Sequence, residues 1–257
     1  TDVRSLIVAI HGNLRDARGY YAGICRAAAL ARDGHSLIIV PRFPVERDLR
    51  RAGSDLLFWS NDGWKQGDES ISSSVNIRDK QISSFDVVDN LISEVVGSGN
   101  FPGLVRIVLV GHSAGGQFVN RYSAGSGIQE RYAEKGVEFR YVVANPSSYL
   151  YLDSLRPVAG KPGTFVEPHA PHCPRYNRYK YGLEKLNTYM SRAGVVTIRN
   201  TIPNRRTIYL LGGADTSHAG KDFDWSCSAM LQGANRLERG RNYQEYLALV
   251  YGKEILD

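Results

Sequence analysis

The sequence predicts an α/β fold in which a mostly parallel central sheet carries helices on both faces, as a three-layer sandwich. Five short apolar runs recur along the chain, and each has the length of a strand that is buried on both faces. The runs are residues 6–10, 36–40, 104–110, 138–144 and 207–211. Long segments separate them, as parallel strands require, because a tight turn cannot join two parallel strands. We therefore expect one domain over residues 1–257.

The composition is typical of a globular domain and favours neither a nucleic-acid-binding nor a membrane-spanning protein. The 257 residues are 42% hydrophobic, which is enough for one domain with a buried core. The net charge of +6 comes without a long basic run or a nucleic-acid-binding motif, so we expect no nucleic-acid partner. No stretch approaches the roughly 18 consecutive apolar residues that span a membrane, so no membrane span is predicted. The chain starts without a basic-then-apolar leader and fits a mature exported protein or a cytosolic one, with a secreted or periplasmic location favoured.

Cysteine and histidine usage does not suggest a metal protein. Cys173 and Cys227 both lie in polar, loop-like surroundings, so one disulfide or two free thiols fit equally well. His169 and His172 lie among prolines, which gives neither a helix face nor the spacing of metal ligands. We predict no metal site and no organic cofactor.

The first strand, residues 6–10, runs into His11-Gly12-Asn13. A glycine directly after a strand lets the backbone turn, so that the amides that follow point toward the end of the sheet. His11 precedes this turn and is expected to pack in the core.

Trp59 and Trp64 lie five residues apart in a loop rich in Gly, Asn and Asp. This spacing does not suit one helix face, so each ring either walls a substrate pocket or packs the loop onto the core. Trp59 is a candidate for substrate contact. An amphipathic helix over residues 83–96 follows, with a serine cap at its start and Gly97 at its end, and it forms the crossover to the central strand.

The central strand, residues 104–110, ends in Gly111-His112-Ser113-Ala114-Gly115-Gly116, and a helix-compatible segment follows. A serine on this sharp turn is lifted above the end of the sheet, while the small residues let the backbone pass close to the helix. A tight structural turn is the alternative. The G-x-S-x-G pattern resembles the nucleophile elbow of the α/β-hydrolase superfamily, and the resemblance implies that Ser113 is the attacking group.

The resemblance extends over about residues 6–252 and implies further roles. In the superfamily an H-G sequence after the first of these strands supplies one oxyanion-hole amide, so the backbone amides of Asn13 and Ala114 would hold the oxyanion. Residues 145–149 and 232–236 are similar to a little-described group of bacterial and fungal α/β-hydrolases. That narrower likeness says little about substrate.

The strand at residues 138–144 leads into Asn-Pro-Ser-Ser-Tyr, and Tyr149 is a second candidate for substrate contact. Strand ends on this edge of a parallel sheet face the ligand crevice, although a plain turn fits these residues equally well. Residues 152–205 then lose the hydrophobic rhythm and are rich in proline and tyrosine. In the resembled superfamily lids grow at this position, so we predict a cap over the site.

The strand at residues 207–211 runs into Gly212-Gly213-Ala214-Asp215, which brings a carboxylate to the sheet edge where Ser113 lies. The resemblance implies that Asp215 is the acid that orients a catalytic histidine. A turn or N-cap role for Asp215 is the alternative, and Asp153 is the fallback acid.

The histidine breaks the pattern. The superfamily order places it beyond one further strand, but the only histidine downstream of Asp215 is His218, in the same loop. Three residues of turn make a Ser-His-Asp relay through His218 awkward, and the strand at residues 207–211 would be an uncovered apolar edge. We therefore expect that a C-terminal piece with a strand and the histidine is absent from this sequence, having been removed by proteolysis, kept as a separate polypeptide or cut away.

The resemblance implies a serine hydrolase, foremost a carboxylic-ester hydrolase that forms an acyl-enzyme on Ser113 with a small-molecule ester as substrate. Hydrolysis of amides, thioesters or lactones would use the same groups. The rival from another class is a binding protein that kept the elbow after losing the base.

Overall fold

A computed structural model describes residues 2–49, 55–217, 220 and 222–256. Within these residues the strands are β1 (Ser5–Ile10), β2 (Ser36–Ile39), β3 (Arg106–His112), β4 (Glu138–Ala144), β5 (Arg156–Pro157), β6 (Phe165–Val166) and β7 (Thr207–Leu210). The α-helices are α1 (Ala17–Leu30), α2 (Ser84–Gly97), α3 (Ala114–Gly125), α4 (Ile128–Ala133), α5 (Thr188–Thr201), α6 (Cys227–Met230) and α7 (Arg236–Tyr251).

The predicted strands pair into one parallel sheet, which in the described residues has five strands in the order β2-β1-β3-β4-β7. Neighbouring strands end together, because Ile10 pairs with Gly111 and Ala144 pairs with both His112 and Leu210. The loops that follow β1, β3, β4 and β7 therefore leave the sheet from one carboxyl edge, where ligands bind in open α/β sheets. The predicted parallel sheet with helices around it is confirmed.

Helix α3 lies against the middle of the sheet and begins directly after β3. All of its residues are buried, and it contacts β1, β3, β4 and helix α5. Phe118 packs on Phe43 and Phe85, with ring centroids 5.3 Å and 4.6 Å away. This packing fixes the position of the start of α3, which directly follows Ser113.

Helix α2 forms as the sequence predicts. The Ser83 hydroxyl accepts a hydrogen bond from the Phe85 amide at 3.1 Å, which satisfies one of the unpaired N–H groups at the start of the helix. The helix ends at Gly97. Its apolar residues Val88 and Ile92, four apart on one face, are fully buried.

The segment 152–205 is partly a wall of the cavity described below and partly a layer of the fold. Strands β5 and β6 form a small antiparallel pair, whereas α5 packs against α3 beside the main sheet. Cys173 and Cys227 form a disulfide, which ties this segment to α6 and decides between the two alternatives left open by the sequence. The predicted cap over the site stays a prediction.

Strand β7 is an edge of the sheet, since it pairs with β4 alone among the described residues. Ile208 and Leu210 are 49% and 51% exposed. The uncovered apolar edge expected from the sequence is therefore present in the described part of the chain. None of the helices that the structure describes is long and apolar enough to cross a membrane.

Candidate active site

Ser113 lies at the turn between β3 and α3. Its backbone has φ +57° and ψ −115°, a conformation that costs a non-glycine residue about 1–3 kcal/mol. The Ser113 amide donates to the Ala144 carbonyl at 2.9 Å, which anchors the turn to the neighbouring strand. The residue is partly exposed. Ser113 therefore lies on a strained turn at the carboxyl edge of the sheet.

Two glycines make this turn sterically possible. A Cβ at Gly111 would lie 2.1 Å from the Gly115 carbonyl oxygen, and a Cβ at Gly115 would lie 2.1 Å from the Ile10 carbonyl oxygen. Helix α3 therefore approaches the backbone of β1 and β3 so closely that no side chain fits between them. This is the close approach predicted from the small residues of the motif.

A cavity of about 460 Å³ opens beside Ser113. Asn13 and Ala114 line it together with Ser113, and no acceptor among the described residues takes the backbone N–H of either one. The Asn13 carbonyl accepts a hydrogen bond of 2.6 Å from Arg15, whose guanidinium is paired with Asp48. Two residues whose backbone amides have no acceptor among the described residues thus line the same cavity as the serine.

Asp215 follows β7 at the same edge of the sheet. Its amide donates to the Gly212 carbonyl at 2.9 Å, and the Gly212 amide donates to the Asn145 side chain at 2.7 Å. The Asp215 carboxylate lies 3.6 Å from the Arg236 guanidinium, and its charge also reaches the His112 ring. Asp215 therefore follows β7, which lies two strands away from β3 in the sheet. It is not one of the residues that line the cavity.

The histidines near the edge have separate environments. His11 is fully buried, its Nε2 accepts from the Phe43 amide at 3.0 Å, and its Nδ1 donates to the Gly12 carbonyl. Burial lowers the pKa of His11 to about 4, so the predicted core role is confirmed. His112 lies 3.2 Å from the Tyr20 hydroxyl, and burial followed by the Arg236 charge lowers its pKa.

The base remains unassigned in the described residues. His218, the histidine downstream of Asp215, lies outside them. No hydrogen-bond partner of the Ser113 hydroxyl occurs among the described residues.

The loop 222–226 forms one wall of the cavity and is held by α7. The Asp222 carboxylate accepts from the Asn13 side chain at 2.8 Å, and the Asp222 carbonyl accepts from Arg236 at 2.9 Å. The Arg239 guanidinium lies 4.1 Å from the centre of the Phe223 ring. Helix α7 therefore positions a wall of the site, which no sequence motif indicated.

Charged side chains that the sequence did not single out also line the cavity. Lys65 and Lys180 contribute ammonium groups, and Asp62 and Asp224 contribute carboxylates. Sequence reasoning missed them because they come from loops without a recognisable motif.

Two predicted substrate contacts are corrected. Trp59 is 2% exposed and packs edge-on against Phe43 at 5.4 Å, and Tyr149 is fully buried and stacks on Tyr243 at 4.5 Å. Neither ring lines the cavity beside Ser113. Both rings serve the core, because burying an aromatic side chain against other rings stabilises the fold more than leaving it at a wet pocket wall.

Two solved structures align with nearly the whole chain. Poly(aspartic acid) hydrolase-1 from Sphingomonas sp. KT-1 is 23% identical, with a TM-score of 0.63 over 99% of this chain and 78% of that chain. LpqC, a poly(3-hydroxybutyrate) depolymerase from Bordetella parapertussis, is 20% identical, with a TM-score of 0.61 over 97% of this chain and 69% of that chain. No protein-family model and no curated protein matches the sequence. By its likeness to these two structures, the chain has the α/β-hydrolase fold.

Proposed function

We propose that this protein of the α/β-hydrolase fold is a serine hydrolase that cleaves small carboxylic esters through an acyl-enzyme on Ser113. One observation carries the proposal. A partly exposed serine, held at positive φ on the elbow, shares a cavity with two backbone amides that have no acceptor among the described residues.

The mechanism follows from these groups. The Ser113 hydroxyl gives its proton to a base and attacks the ester carbonyl carbon, so that the negative charge develops on the carbonyl oxygen. The amides of Asn13 and Ala114 donate to that oxygen, and one such donor typically contributes about 2.7–4 kcal/mol to transition-state stabilisation. The bond to the alcohol then breaks, the alcohol takes the proton from the base, and water hydrolyses the acyl-enzyme by the same steps.

Asp215 is proposed as the acid that orients the base. Its place after β7 at the carboxyl edge supports this role, because a carboxylate there stabilises a protonated histidine that lies between it and the serine. His218, the one histidine that follows Asp215 in the sequence, is the candidate base. No comparison supports the separate C-terminal polypeptide expected from the sequence.

A binding protein without catalysis is the second candidate. The observation that favours it is the setting of Asp215, which lies outside the lining of the cavity and 3.6 Å from the Arg236 guanidinium. Amide, thioester and lactone hydrolysis remain alternatives within the same machinery.

Labelling with a fluorophosphonate probe tests the proposal. We expect the probe to label the protein stoichiometrically, and Ser113→Ala to abolish the label. Ser74→Ala is the control, because Ser74 is exposed and lies outside the lining of the cavity, so its variant should label normally. A folded protein that takes no label would support the binding protein instead.

A further inference from the structure

Lys180 places an ammonium group inside the cavity that contains Ser113. Its side chain is only 11% exposed, and it lines the same cavity as the serine. The nearest carboxylate oxygens, on Asp62 and Asp224, both lie 3.9 Å from Nζ, which is beyond hydrogen-bond distance. Nζ has three protons to donate and no acceptor for them among the described residues.

Both neighbouring carboxylates form ion pairs with Lys180 at 3.9 Å, but they take their hydrogen bonds from other groups. Asp62 is paired with Lys65 at 2.6 Å. Asp224 accepts hydrogen bonds from the Tyr181 hydroxyl at 2.9 Å and from the Ser226 amide at 3.1 Å. The two aspartates therefore neutralise charge around Lys180 without satisfying its donors.

The charges around the cavity leave a positive excess. Arg121 is fully buried behind the wall, where its Nε donates to the Lys180 carbonyl at 3.0 Å. The lining itself is balanced, with three cations and three carboxylates, so the one positive charge in excess is that of Arg121 behind the wall. Burial, followed by the charge of Arg121, lowers the pKa of Lys180 to about 8.

We propose that Lys180 binds a carboxylate of the substrate while the ester carbonyl lies against Ser113. This inference rests on the proposed function and names the substrate class as an ester that carries one carboxylate. A monoanion fits better than a phosphate dianion, because Asp62 and Asp224 flank the ammonium and would repel a second negative charge. Lys180 is thus a specificity-determining residue of the site.

Calorimetric titration of the Ser113→Ala chain at pH 7 tests the inference without turnover. The probes are monomethyl glutarate, a monoanionic ester, and dimethyl glutarate, its neutral counterpart of the same acyl length. We expect the dissociation constant of monomethyl glutarate to be at least tenfold lower. Adding Lys180→Met should remove this preference, whereas Lys180→Arg should keep part of it. Lys135→Met is the control, since Lys135 is an exposed lysine against Tyr132 and should leave the preference unchanged.

Three results would overturn the inference. They are equal affinity for the two esters, a preference that survives in folded Lys180→Met, and no binding of monomethyl glutarate. Where Lys180→Met fails to fold, equal affinity for the two esters still overturns the inference, and Lys180→Arg still tests the assignment to Lys180. Fluorophosphonate labelling of Ser113 in the unsubstituted chain reports on the proposed function separately.

Discussion

The contact between α3 and β1 at Gly115 offers a direct test of how the elbow is built. Gly115→Ala would place a methyl carbon 2.1 Å from the Ile10 carbonyl oxygen and 2.8 Å from the His11 carbonyl oxygen. The first distance is more than 1 Å short of ordinary van der Waals contact. Both obstacles are backbone atoms, so no side chain can rotate away, and α3 must move from the sheet.

The size of the effect follows from this geometry. Overpacking in a core usually costs about 1–3 kcal/mol, and a clash with backbone on a central strand belongs at the upper end. We expect Gly115→Ala to lower the free energy of unfolding by about 3 kcal/mol, or the melting temperature by roughly 10 °C for a chain of this size. Because Ser113 lies two residues away, fluorophosphonate labelling should also slow.

Urea unfolding, with labelling in parallel, measures both effects. Gly97→Ala is the matched control, since Gly97 ends helix α2 and a Cβ there meets no atom within 4 Å. Alanine at such a site should stabilise the helix by up to about 1 kcal/mol. The reasoning is refuted if Gly115→Ala unfolds within 1 kcal/mol of the unsubstituted protein at an unchanged labelling rate.

Three further predictions test other features. The pKa of His11 is about 4 in the folded protein and about 6.5 in the unfolded chain. The unfolded chain therefore takes up the proton first as the pH falls. The free energy of unfolding should fall by about 2 kcal/mol between pH 7.5 and pH 5. His11→Gln should flatten this dependence in unfolding curves, and exposed His169→Gln should not. Cys227→Ser should lower the free energy of unfolding by about 2–4 kcal/mol, because it removes the bridge to Cys173. A reductant should destabilise the unsubstituted protein but not this variant. If the reductant destabilises neither protein, the bridge does not contribute to stability. Asp215→Asn should slow fluorophosphonate labelling at least tenfold with little change in melting temperature, and an unchanged rate would exclude it as the triad acid.

The strands were predictable because a parallel strand buried on both faces leaves a continuous apolar run. Residues 138–144 are predicted and observed as one strand, β4. Strand β3 instead begins at Arg106 and extends to His112, two residues beyond its apolar run, because its last residues pair with Val143 and Ala144 of β4. Pairing of this kind depends on the neighbouring strand and leaves no local signal.

The backbone around the candidate site was predictable only where a motif is local. The turn at Ser113 is contained within a few residues, so the glycine spacing was enough to predict it. Trp59 sits in a polar loop, yet it is buried by Phe43 from a different loop. The setting of Lys180 is likewise made by Asp62 and Asp224, which are distant in sequence. Contacts between residues distant in sequence therefore determine both the burial of Trp59 and the environment of Lys180.

The positive φ of Ser113 lowers the stability of the fold at the same position that would supply the reacting hydroxyl. Glycine there would relieve about 1–3 kcal/mol of torsional strain, while its extra freedom in the unfolded chain costs about 0.5–1 kcal/mol. The Ser113→Gly variant should therefore have a higher melting temperature than the unsubstituted protein, although it has lost the hydroxyl. Selection for thermal stability alone would favour glycine at this position, and only a need for the side-chain oxygen would favour serine.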